Sequence, residues 1–433
     1  MIRKTRLAFA LLYITSLVGT IAAFPAASAL SISPSAYYGP PASSAFTYGT
    51  NTTYLYTYNF SARNHDSSAR TKDLWIPSLN NRTVLDSSGI IYQQEFKILR
   101  EDISPYTNMS RIIDPNDTYI YYFKFHIPIS GTWSLGIKAN LTLRTVTWKQ
   151  VSGITMSSYN KSDAFYTLYT KNESQISKYY PAIASKAAAL NTSNPYATVK
   201  NVYDFVTSYL TYNGNLTGDY GAEFAITNGY GDCTEFSYLM TALLRACGIP
   251  ARVLRGMVIA RSSLQGVTPD FKAPVGTSWA FTAAYDNTSV LPNNLTGHAW
   301  CEYFIPGQGW ITADPTWHAA DNYTAKIDNV HVPYMTNLWI GDGIVPALPT
   351  NASTNPTNAI TDIPYPMYND DPIRYDIRYA FTVIQQTQVC DIWCQILQNW
   401  LLVLGIVAIV VVIIIIIYAA SKRKSKSKES VYH

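Results

Sequence analysis

The chain has 433 residues, long enough for two domains with cores of their own. Charged residues make up only 14%, against the roughly 25% usual in soluble proteins, and Tyr, Ser, Thr and Asn fill the difference. The net charge of +4 sits at the ends: Arg3, Lys4 and Arg6 contribute three charges and the tail from Ser421 a net four, so the middle is near −3 and leaves no nucleic-acid footprint.

At the N-terminus, basic residues precede an apolar run from Leu7 to Phe24, and Ala27-Ser28-Ala29 offers small residues for cleavage. This pattern predicts a signal peptide over 1–29, with an uncleaved anchor as the alternative. Residues 30 to 50, rich in Ser, Pro, Ala and Tyr, read as a lead-in. Short alternating runs follow: Tyr54–Phe60, Leu74–Pro77, Ile90–Leu99, Tyr119–Ile127 and Leu135–Trp148. Asn80-Asn81, Asp114-Pro115-Asn116 and Ser130-Gly131 punctuate them. The spacing predicts an antiparallel β-sandwich over 30–151. His65 and His126 stand alone there and read as surface and sheet histidines.

Residues 152 to 172, polar and Tyr-rich, form a joint. Glu173–Leu190 and Pro195–Leu210 have helical periodicity, the second with Asn194 as N-cap and Pro195 at N1. Asn213 to Gly229 reads as a loop walling a cleft. From Phe236, apolar residues recur at helical spacing through Leu239, Met240, Leu243, Leu244 and Cys247, and Gly248 and Pro250 end the pattern. Cys233 thus falls in the first turn of a buried helix, where the helix dipole favours a thiolate. Ala251–Ile259 is a strand. Leu264 to Asn294 reads as a substrate-facing insertion or a glycosylated surface loop. Gly297–Phe304 and Trp310–Trp317 read as a hairpin that can bring His298 and Asp314 to one face, with the register left open. Cys, His and Asp supply a nucleophile, its base and an orienting carboxylate.

The runs GDCTEFSYLMTALLRACGIPARVLRG and GHAWCEYFIPGQGWITADPTW resemble the transglutaminase-like (papain-like fold) cysteine enzyme superfamily, over roughly residues 174 to 340. The resemblance implies an α+β catalytic domain, placed here at 152–340, with Cys233 as nucleophile, His298 as base and Asp314 as third member. It implies acyl-enzyme chemistry on the amide of a protein or peptide substrate, with hydrolysis favoured over amine cross-linking and no cofactor. The Cys233 backbone N–H would serve the oxyanion, with Tyr212, Thr227 and Asn228 as candidates for a second donor. The rival reading is a non-catalytic cell-surface scaffold, or an adhesion or envelope-assembly protein with the same fold.

Residues 341–398 read as a Pro/Thr/Asn-rich spacer containing one more strand, Tyr375 to Val383. Trp400–Ala420 is unbroken apolar sequence of roughly 31 Å as a helix, which predicts a transmembrane span at 399–420. The basic residues after Ser421 make 421–433 a cytoplasmic tail and put the bulk of this single-pass chain outside the cell membrane. Fourteen Asn-x-Ser/Thr sequons support that side, and they skip the stretch between Asn215 and Asn287 that holds the Cys233 helix. Cys247 and Cys301 could pair but read better as small buried hydrophobes. Cys390 and Cys394 read as one face of an interfacial helix. No His/Cys spacing resembles a zinc site, so no metal is expected.

Overall fold

The computed structural model describes residues 46–79, 81–86, 89–105, 109–113, 119–216, 218–259, 273–286, 289–290, 297–316, 335–340, 372–387 and 410–417. The expected signal peptide, the tail, most of the spacer, His318, His331, Cys390 and Cys394 lie outside these residues. Of the expected membrane span, residues 410–417 are described, helical and exposed. Among the described residues no helix is long and apolar enough to cross a membrane.

The N-terminal part is all strand: β1 (Phe46–Asn64), β2 (Arg70–Ser78), β3 (Arg82–Asp86), β4 (Gly89–Ser104), β5 (Met109–Ile113), β6 (Tyr119–Ile127) and β7 (Thr132–Trp148). Five helices follow, α1 (Ala164–Thr170), α2 (Pro181–Leu190), α3 (Pro195–Tyr209), α4 (Gly221–Asn228) and α5 (Cys233–Ala246). Two short strands, β8 (Thr211–Tyr212) and β9 (Tyr230–Gly231), lie between them. The chain continues as β10 (Ala251–Val258), β11 (Ser278–Asp286), β12 (Ser289–Val290), β13 (Gly297–Ile305), β14 (Gly309–Ala313), β15 (Met335–Ile340) and β16 (Ile373–Thr387). The class is α+β.

Strict alternation builds the largest sheet. Tyr54, Tyr56, Tyr58, Phe60 and Ala62 of β1 point inward, as do Trp133, Leu135, Ile137, Ala139, Leu141 and Leu143 of β7 and Tyr375, Ile377, Tyr379, Phe381 and Val383 of β16. The sheet is antiparallel and seven-stranded, in the order β12-β11-β16-β1-β7-β4-β3. A separate antiparallel sheet, β2-β6-β5, adds Ile76, Tyr121, Phe123 and Ile127 to the same core. Three strands of the seven-stranded sheet, β11, β12 and β16, come from beyond the expected β domain. The segment read as an insertion supplies β11, which pairs with β16, and β16 pairs in turn with β1. The seven-stranded sheet is therefore assembled across the boundaries expected at residues 151 and 340.

The helices differ from expectation where backbone chemistry intervenes. Helix α2 starts at Pro181, not Glu173, because the residue before a proline is pushed out of the helical region; Tyr180 has ψ 129. The loop read over 213–229 contains α4, which Gly229 ends with φ 72. Helix α3 begins as expected, with Asn194 accepting from the N–H groups of Tyr196 and Ala197.

The four-stranded sheet, β14-β13-β10-β15, joins the two halves. Ala251, Val253, Ala299, Cys301 and Tyr303 pack with the helices, while Leu254, Met257 and Trp300 belong to the β-strand core. A buried ionic cluster crosses the same junction. Glu302 of β13 accepts from Arg82 of β3 and, at 3.0 Å, from Arg252 Nε of β10. The Arg252 guanidinium also lies 3.9 Å over the Trp310 ring. Burial, and then the charge of Arg252, press the Arg82 pKa well down, and the single Glu302 carboxylate meets both guanidinium groups. Removing it strands both charges. Glu302→Ala is expected to cost about 3–5 kcal/mol in urea unfolding, and a loss below about 1 kcal/mol, the level of a surface pair, would show that the cluster does not hold the junction.

Candidate active site

The first turn of α5 is set by its own sequence. Asp232 is the N-cap, and its side chain accepts from the Thr234 N–H at 2.7 Å. Glu235 reaches back, and its Oε2 accepts from the Asp232 N–H at 3.2 Å, which completes a capping box. Its Oε1 accepts from the Tyr220 N–H at 2.8 Å. Burial pushes the Glu235 carboxyl up to about 7, against the pull of the Tyr220 N–H. Gly231 makes room for this fold-back, since a Cβ there would stand 2.3 Å from Glu235 Cβ. Cys233 follows as the first residue of the helix and is half-buried. Every residue from Thr234 to Arg245 is buried. The one charge at the far end is matched, with Arg245 donating to Glu173 at 2.8 Å and to the Ala251 carbonyl at 2.8 Å. Gly248, at φ 85, then lets the Ile249 N–H reach the Leu244 carbonyl at 2.9 Å.

His298 and Asp314 lie on the hairpin. The three residues Pro306 to Gln308 separate β13 from β14, and the register runs from Ile305↔Gly309 to Cys301↔Ala313. Extending it puts Asp314 across from Trp300, so His298 and Asp314 are diagonal neighbours, two residues off direct opposition. His298 Nε2 and Asp314 Oδ2 are 2.6 Å apart, and both residues are buried. The other carboxylate oxygen accepts from the Thr316 N–H at 3.0 Å and from the Thr316 hydroxyl at 2.6 Å. Burial acts to lower the His298 pKa. The Asp314 charge and hydrogen bond outweigh it, joined by a hydrogen bond with Cys233 and the charge of that sulfur, and lift the ring to about 10. The three residues expected from the sequence, Cys233, His298 and Asp314, thus converge.

Tyr212 also faces this centre. Burial of its hydroxyl, and then the charges of Cys233, Asp232 and Asp314, raise its pKa. The other two candidate donors are engaged elsewhere, Thr227 with the Tyr180 hydroxyl at 3.3 Å and Asn228 with the Phe224 carbonyl of its own helix at 2.8 Å. Cys247 and Cys301 are buried and unpaired, their thiols bonded to the carbonyls of Ala187 and Ala313. The exposed His126 bonds only to Thr71 among the described residues. Glu235 and Glu302 escaped the sequence reading, although the Glu three residues after Asp232 is a capping-box signal.

The core of this region has a known relationship. Residues 184–315 match the family model described as the transglutaminase-like superfamily, so this part of the chain is a transglutaminase-like domain. The uncharacterized protein YebA of Bacillus subtilis is 31% identical over 131 residues, which cover 28% of this chain and 15% of YebA. A protein-glutamine gamma-glutamyltransferase of Pseudomonas aeruginosa is 33% identical over 98 residues, covering 23% of this chain and 12% of that protein. The chain therefore spans less than a sixth of either relative. Among solved structures, a candidate cysteine protease from Cytophaga hutchinsonii aligns over 77% of this chain and 99% of its own, at 15% identity and a TM-score of 0.43.

Two expectations follow. The folded-state value of His298 lies above its ordinary 6.5, so the protonated ring contributes stability that is complete below about 6.5 and is lost as pH rises through about 10. Urea midpoints should fall across that window more steeply for the native chain than for His298→Gln, and equal slopes would refute the raised value. Gly231→Ala should lower stability by about 1–3 kcal/mol through overpacking against Glu235, measured in the same assay, whereas an unchanged midpoint would show that the fold-back is dispensable.

Proposed function

We propose that the chain is a membrane-anchored cysteine enzyme that works outside the cytoplasm on peptide-like amides of proteins or peptides. The observation that carries the reading is the convergence of a half-exposed Cys233 at the start of a capped helix with a buried His298 that is itself held by Asp314. Cys233 attacks the carbonyl as thiolate. The His298 imidazolium gives its proton to the leaving nitrogen, and Asp314 fixes the ring through Nε2. The Cys233 N–H, at the end of a helix where backbone donors lack intrahelical partners, meets the developing oxyanion.

The thioester is then released to water. This outcome needs only the exposed edge of the sulfur, whereas transfer to an amine requires an acceptor site that excludes water. The two sheets around the aromatic core form a sandwich that carries the catalytic domain of 152–340. The apolar run at 399–420 anchors the protein, with the basic tail inside the cell.

Iodoacetamide labelling with Cys233→Ala as control separates an enzyme from a scaffold. An enzyme labels at Cys233 far faster than a free thiol, and a scaffold does not. Peptide turnover by the soluble ectodomain should vanish in Cys233→Ala and drop by about 10⁴-fold or more in His298→Ala, as triad losses do. Adding a primary amine should leave hydrolysis product dominant, and amide product in excess would reassign the protein as a cross-linking enzyme.

A further inference from the structure

We propose that a groove on the outer face of the seven-stranded sheet is a binding site for a neutral oligosaccharide. Strands β11, β16, β1, β7 and β4 line it. Alternation turns Tyr379, Phe60, Leu135 and Ile103 toward the core, so the residues beside them in each strand face out. Register then sets those residues in rungs. Arg378, Asn59, Gly136 and Asp102 lie across one, and Asp376, Ser61 and Ser134 across the next. Bulges at Ile384 in β16 and Leu99 in β4 bend the strands on either side of the β1–β7 pair. The groove encloses about 660 Å³, a size typical of small-ligand sites.

The lining selects the ligand class. Its charged groups are Asp102, Asp376, Arg374 and Arg378, and their charges cancel, so neither a polyanion nor a polycation is favoured. Arg374 and Asp376 already pair with each other at 2.9 Å. Strands β16, β1 and β7 are interior, with ladders on both sides, and a peptide that adds to a sheet needs a free edge. Recognition therefore falls to side chains, chiefly Asn59, Ser61, Ser134 and Arg378. A hydroxyl both gives and accepts a hydrogen, and two adjacent hydroxyls on a sugar ring match the fork of an amide, a carboxylate or a guanidinium. The Asn59 amide and the Asp102 carboxylate flank bare backbone at Gly136, where a Cβ would stand 3.6 Å from Asn59 Oδ1 and 3.7 Å from Asp102 Cβ. A sugar ring can lie against the sheet at that point, with polar forks on both sides.

The full-length chain in lauryldimethylamine oxide, a detergent without a sugar, can be titrated calorimetrically with maltohexaose, cellohexaose, chitohexaose and mannohexaose. At least one should bind saturably. Ser134→Trp fills the floor and should abolish that binding. Arg378→Ala should weaken it about tenfold or more, as loss of a hydrogen bond to a charged group does. If Ser134→Trp lowers the urea midpoint, the exposed Arg378 decides. Cys233→Ala should bind like the native chain, because no groove residue belongs to the candidate active site. A loss in that variant would put the sugar at the cysteine and overturn the proposal. Saturation by none of these sugars at millimolar concentration overturns it, and so does binding unchanged in either groove variant. A sugar chain found by mass spectrometry on Asn59, whose sequon Asn59-Phe60-Ser61 opens into the groove, also overturns it, since the protein's own modification would then fill the site.

Discussion

Strand β13 has to be buried on both faces, and the architecture follows from that requirement. After the exposed Gly297, every residue to Ile305 is buried. An antiparallel strand of a two-layer domain would normally show one face to water. Here α5 covers one side through Ala299, Cys301 and Tyr303, and the β-strand core covers the other through Trp300. Neither half closes without the other. Cutting away the N-terminal strands would bare Trp300, Leu254 and Met257 and leave Glu302 with one of its two arginines. The large β region is thus a structural partner of the transglutaminase-like domain, whatever else it binds.

Burying polar groups this deeply is costly unless each is matched. Arg245 is met by Glu173, Arg82 and Arg252 by Glu302, and His298 by Asp314. The three sets differ in kind. The first two are held by arginines, a residue type that holds its proton far more firmly than histidine. The third contains a titratable ring, and it alone adjoins a partly exposed sulfur. The pair that contains a titratable ring therefore borders the half-buried Cys233 of the proposed active site.

Much of the site was legible in the sequence because its chemistry is local. Cys233 opens α5 just before its apolar stripe begins, and the hairpin holding His298 and Asp314 closes over three residues. Helix α5 could be read from spacing, and Gly248 and Pro250 from backbone preference. The β assembly was not legible to the same degree. Alternation in Tyr375 to Val383 signals a strand, but nothing in those residues says that it pairs with β1, more than three hundred positions earlier. The same holds for β11, whose sequence Ser-Trp-Ala-Phe-Thr-Ala-Ala-Tyr-Asp has few large apolar residues and lies in a segment of turn-rich composition. Local period gives an element its type, and only tertiary pairing gives it neighbours. Proline showed the opposite case, a local rule overlooked: Pro181 begins α2, although apolar spacing alone extended the helix back to Glu173.

Three cysteines are described, and their side-chain chemistry is identical, so position alone sets apart Cys233, the nucleophile of the proposed reaction. Cys247 closes α5 and Cys301 lies beneath it in β13. Burial drives both thiols toward the protonated form, and each gives its hydrogen to a carbonyl. Cys233 sits at the other end of the same helix, where the dipole is positive and backbone N–H groups point outward. It is the one of the three that borders a histidine. Reversing α5 in its groove would bring a C-terminus, with its outward carbonyls, to His298 and would oppose a negative sulfur. The capping box would therefore serve the proposed chemistry as well as the fold, because it marks the end of α5 that meets the hairpin.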